Sequence, residues 1–83
     1  MDGWFVFIVA GPEPRALRTG LTRDPALRAH RSPAAERLLY FELCADADAA
    51  CRRQRQLRHW SHARRARLVS TMNPLWRDLR TLW

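Results

Sequence analysis

Eighty-three residues and 9.8 kDa make room for one domain, spanning 1–83, with a thin core, since a chain this short hides only about 60–65% of its unfolded surface. That excludes large enzymes with a separate cofactor domain, and a hydrophobic fraction of 47% excludes a disordered polyelectrolyte. The net charge is +7 and the pI near 11.4, carried by fifteen arginines and no lysine, which favours polyanionic partners: nucleic acid first, an anionic membrane surface second.

Trp4 to Val9 is aromatic and β-branched without a polar break, and predicts a strand buried on both faces. The run to Ala10 is shorter than the ~20 residues a bilayer needs. No basic segment precedes it, so no signal peptide and no membrane insertion are expected. Gly11-Pro12-Glu13-Pro14 breaks the strand, because proline removes a donor and fixes φ. Ala16 to Thr22 predicts a hairpin partner. Asp24-Pro25 predicts a helix start, ended by Ser32-Pro33. Leu38 to Leu43 predicts a third strand.

Asp46 should cap a helix running to about His59, with Ala47, Ala50, Cys51, Gln54 and Leu57 on its inward stripe. Ser61 should cap another to about Met72, with Leu68, Val69 and Met72 inward and Arg64 and Arg67 outside. Asn73-Pro74 stops it, and one last turn follows over Leu75–Leu79. The expected fold class is α/β (α+β), a three-stranded antiparallel sheet flanked by helices in the order β-β-α-β-α-α.

The charge is lopsided. Residues 1–48 hold six arginines and seven acids; residues 49–83 hold nine arginines and one acid, Asp78. A solvated helix face usually mixes signs, so the absence of acids from Ala49 to Arg77 points to a phosphate-facing surface. Two cysteines, Cys44 and Cys51, are too few for a disulfide scaffold and predict a cytoplasmic chain with free thiols. Cys51, His59 and His62 lack the paired spacing of a zinc site. No nucleophile elbow, phosphate-cradling glycine loop or dinucleotide fingerprint is present.

The chain resembles the short, stand-alone bacterial members of the GIY-YIG endonuclease superfamily. Gln56-Leu57-Arg58-His59-Trp60-Ser61 is similar to their Q-[IL]-K-x-W-S segment, and Asn73-Pro74-Leu75-Trp76-Arg77-Asp78-Leu79 to their N-P-x-W-x-D-L ending. Phe5-Val6-Phe7 stands where that subgroup has Y-V-Y, and Arg18-Thr19-Gly20-Leu21-Thr22 where it has Y-[IV]-G-x-T. Asp24 and Arg28 fit the following helix. The resemblance implies metal-assisted hydrolysis of a DNA phosphodiester, with two tyrosines at the attacking water, an arginine on the phosphate and a glutamate holding Mg²⁺ or Mn²⁺.

Carried over residue by residue, the first tyrosine falls on Phe7, which has no hydroxyl to move a proton. The second falls on Arg18, which cannot act as base. The arginine is retained as Arg28. The metal-binding glutamate falls on Gln54, a neutral amide without the charge that holds a divalent cation. Tyrosine to arginine and glutamate to glutamine both make the expected cleft more positive, which suits holding a phosphate better than breaking it. The resemblance therefore implies a catalytically impaired domain with no cofactor. It would bind DNA, or RNA, through Arg18, Arg28, Arg52, Arg53, Arg55, Arg58, Arg64 and Arg67. Phe7, Arg18, Arg28 and Gln54 should then surround one hollow. Two other readings stay open: an active nuclease whose metal is held by Glu42, Asp46 or Asp48, and a structural or protein-interaction module. For single residues, Gln54 and Phe7 are alternatively core side chains, Arg18 a solvent-facing strand residue, and Arg28 a partner of Asp24. Trp60 and Trp76 read as core anchors.

Overall fold

The computed structural model describes residues 3–11, 17–24 and 36–82. Three strands come first: β1 Trp4–Ala10, β2 Leu17–Thr22 and β3 Arg37–Cys44. Two helices follow, α1 Ala47–His59 and α2 His62–Met72, and then a 3-10 turn over Leu79–Leu82. The sheet order is β2-β1-β3, antiparallel throughout. The fold is thus the expected α+β class, in the order β-β-β-α-α among the described residues. The helix expected after Asp24-Pro25, and Arg28 with it, lie outside them. No helix among the described residues is long and apolar enough to cross a membrane.

β1 sits in the centre, which explains its unbroken apolar run. Val6, Ile8 and Ala10 face one way, and Phe7 and Val9 the other; all five are buried. The first set meets Leu17, Leu39, Tyr40, Ala50, Leu57 and Val69 in the main core. Ile8, Leu39, Leu57 and Val69 are wholly inaccessible there, so the helices lie on this face of the sheet. The second set packs with Leu38, Phe41 and Leu79 on the opposite face.

A bulge explains how Leu38 and Tyr40, two apart in sequence, reach opposite faces. Val9 pairs with Leu38 but Ile8 pairs with Tyr40, so Leu39 is an extra residue on β3. Both helix starts behave as their sequences dictate. Asp46 Oδ1 accepts from the Ala49 amide at 2.8 Å, and Ser61 Oγ from the Arg64 amide at 3.1 Å.

Two inward stripes are narrower than the sequence spacing predicts. Ala50 and Leu57 are buried on α1, but Ala47 and Cys51 are exposed. Val69 is buried on α2, while Met72 is 44% exposed. The buried residues of α1 stand near both its ends, so the covered arc is narrow rather than short: Cys51 lies about 100° around the axis from Ala50, and Met72 is the last residue of α2, before the turn at Asn73.

The turn after α2 is built on side chains. Asn73 is buried; its Nδ2 donates to the carbonyls of Leu39 (3.1 Å) and Arg77 (2.8 Å), and its Oδ1 accepts from the Arg77 amide (3.0 Å). Asp78 Oδ1 accepts from the Leu38 amide at 3.1 Å, so both residues grip β3 beside its bulge. Trp76 takes a left-handed backbone angle (φ 53°), rare for a bulky residue, and its indole N–H donates to Ser70 Oγ at 2.9 Å. The last segment is therefore a clamp rather than a helical turn until Leu79.

Candidate nucleic-acid interface

The arginines divide into those with internal partners and those without. β-Alternation turns Tyr40 and Glu42 toward the helices. Glu42 Oε1 accepts from Arg53 Nε at 2.7 Å, while the Tyr40 hydroxyl donates to Glu42 Oε2. Arg53 also donates to Gln56 Oε1 at 2.7 Å and lies 5.2 Å from the Trp60 ring centre. It is half-buried and committed to this network, although the sequence grouped it with the phosphate contacts. Arg18 pairs with the buried carboxylate of Glu36, and Arg80 with Asp78 at 2.7 Å.

Arg52, Arg55, Arg58, Arg64 and Arg67 are exposed and form no ion pair with a described residue. The first three follow one another at three-residue spacing along α1; the last two repeat that spacing on α2. Arg64 is held 4.0 Å from the Trp60 ring centre, which fixes its guanidinium without neutralising it. Trp60 is thus a half-buried anchor packed against the main core, as is Trp76.

Arg65 was absent from the expected contacts. Its Nη1 donates to the carbonyls of Leu57 (3.2 Å), Arg58 (3.2 Å) and Trp60 (3.0 Å), capping the C-terminus of α1. The signal lay in the two-residue link Trp60-Ser61, which sets the first turn of α2 beside those carbonyls.

The positions expected to form one cleft meet around two neighbouring hollows at β2. One, of about 360 Å³, is lined by Leu17, Arg18, Thr19, Gln54, Arg58 and Arg65. The other, of about 220 Å³, is lined by Phe7, Val9, Arg18, Thr19, Gly20 and Leu21. Arg18 and Gln54 share the first; Phe7 reaches only the second, because it projects from the sheet face away from the helices. Arg18 and Thr19 belong to both. Gln54 Nε2 donates to the Thr19 carbonyl at 3.3 Å, so the amide ties α1 to β2.

These residues do not fit a divalent cation. Three guanidiniums and a neutral amide line the larger hollow, and cation ligands need anionic oxygen. Of the other carboxylates considered, Glu42 is engaged with Arg53 and Tyr40 and Asp46 is a helix cap, while Asp48 is exposed in the first turn of α1 and does not line the hollow. Among the described residues, no three His, Cys, Asp or Glu side chains converge on one point.

Burial first, then the bond to Glu42 and its charge, push the Tyr40 phenol from 10.0 up to about 12. A raised phenol stabilises the fold fully below the ordinary tyrosine value and loses that contribution as pH climbs through about 12. Tyr40 is the chain's single tyrosine, so its absorbance reports this directly. The absorbance transition should lag to about 12 and move down in Glu42→Gln. A wild-type midpoint near 10.0 would show that the network does not hold the proton. Cys44 is likewise pushed up, by burial and then by the charge of Glu42.

No protein-family model matches the chain, and neither does a curated protein or a solved structure.

Proposed function

We propose that this chain is a GIY-YIG-like domain that binds nucleic acid, DNA foremost, through the arginines of α1 and α2, and is impaired in cleavage. One observation carries the reading: five exposed arginines on two consecutive helices have no acidic partner among the described residues. Like charges so close repel one another unless a polyanion screens them. Phosphate contact supplies that screening and releases condensed counterions. The antiparallel three-stranded sheet with helices on it agrees with the resemblance. That resemblance is most specific at Asn73, Trp76 and Asp78, however, and the bonds these residues make clamp the fold. Cleavage is disfavoured by chemistry: Phe7 carries no hydroxyl, and Gln54 stands among cations.

Fluorescence anisotropy on a labelled duplex across a salt series tests this. Five phosphate contacts give a slope of log K against log salt of about −4 to −5. Replacing Arg52, Arg55 and Arg58 together with glutamine should flatten it by about 3. A wild-type slope near zero would sink the reading. In the same tubes, cleavage with Mg²⁺ or Mn²⁺ that disappears in Arg28→Ala would reverse the assignment to an active nuclease.

A further inference from the structure

We infer that the hollow between β2, α1 and α2 is a phosphate site that prefers a terminal phosphomonoester to an internal phosphodiester. This rests on the nucleic-acid reading and refines it. Three guanidiniums, of Arg18, Arg58 and Arg65, come to it from three separate elements. The Glu36 carboxylate, paired with Arg18, offsets one of these charges. Two positive charges remain, among the described residues, on one hollow. A phosphodiester brings one negative charge; a terminal phosphate brings nearly two at neutral pH.

The donors are suited to oxygen. Guanidinium groups fork onto phosphate oxygens in short, charge-assisted bonds. Arg65 spends Nη1 on the end of α1 and keeps its positive charge beside the hollow. Gln54 donates its amide to Thr19 and carries no charge, so nothing on α1 beside the hollow repels an anion. The volume, about 360 Å³, exceeds what a phosphate alone fills and leaves space for the sugar bearing it, against the apolar side chain of Leu17.

Two oligonucleotides of one sequence test it, one with a 5′-phosphate and one with a 5′-hydroxyl, both titrated at fixed ionic strength. The phosphorylated strand should bind about tenfold tighter, a difference of about 1.4 kcal/mol. That preference should vanish in Arg58→Gln and in Gln54→Glu, while Arg55→Gln, outside the hollow, weakens both strands alike. Inorganic phosphate at matched ionic strength should erase the preference, and in wild-type protein it should shift the arginine Nε–H signals of Arg58 and Arg65. The NMR readout needs no variant, so it stands even if a substitution disturbs folding. Equal binding of the two strands, or a preference untouched by Arg58→Gln, overturns the site and leaves the helix-face reading standing. If neither strand binds at low salt, both readings fall.

Discussion

Asn73→Ala should destabilise the domain by about 3–4 kcal/mol, enough to leave a chain of this size largely unfolded at 37 °C. The buried amide makes three hydrogen bonds, to the backbone of Leu39 and twice to Arg77. Its loss strands the Leu39 carbonyl inside the protein, and each buried unsatisfied group costs about 1–3 kcal/mol. It also frees the turn that places Trp76 in its left-handed conformation and Asp78 under the Leu38 amide. Urea titration followed by circular dichroism gives the number. Leu75→Ser serves as control, since Leu75 is 69% exposed and should change stability by less than about 0.5 kcal/mol. A cost for Asn73→Ala below about 1 kcal/mol would show that the clamp closes without its amide.

Gly20→Val should cost about 2–3 kcal/mol for a different reason. Gly20 has an ordinary backbone angle, so its requirement is spatial. It pairs across the sheet with Phe7, whose ring tip lies over it; a Cβ there would fall 2.8 Å from each Cε atom and closer still to Cζ. Phe7 is buried between neighbours and cannot swing away without opening its core cluster. The two sites must therefore couple. Shortening the ring with Phe7→Leu should cost stability alone but recover about 1 kcal/mol or more in the Gly20→Val background. Strict additivity in that double-mutant cycle would show that the ring moves freely and that the close approach has no energetic weight.

Local chemistry made most of the framework readable. The apolar run of β1, the Asp46 and Ser61 caps and the stop at Asn73-Pro74 each act within a few residues, and each stands where the sequence put it. What escaped depends on neighbours distant in the chain. The bulge at Leu39 lies where Asn73 and Asp78 hold β3, across more than thirty residues. The exposure of Cys51 and Met72 depends on how wide an arc of each helix is covered and on where the helix stops, which the spacing of apolar residues does not specify. The candidate site was legible in composition and not in geometry. An arginine-rich, acid-free stretch was plain, but only folding shows that Arg53 serves Glu42, that Arg65 caps a helix, and that Phe7 and Gln54 open into separate hollows.

Both margins of the sheet carry a carboxamide: Gln54 on the Thr19 carbonyl of β2, Asn73 on the Leu39 carbonyl of β3. Amides neither gain nor lose protons over any biological range, so these two fastenings are indifferent to acidity. Asp78 differs. Burial would raise its carboxyl, but the Arg80 bonds and the Leu38 amide outweigh that and hold it below 3.8. Its grip on the Leu38 amide survives mild acid and is surrendered only as pH falls beneath that value. Acidification should then release the Leu38 amide on the β3 margin first, while the two carboxamide fastenings hold, so an acid-treated population gains an open donor on an edge strand, where another chain can pair.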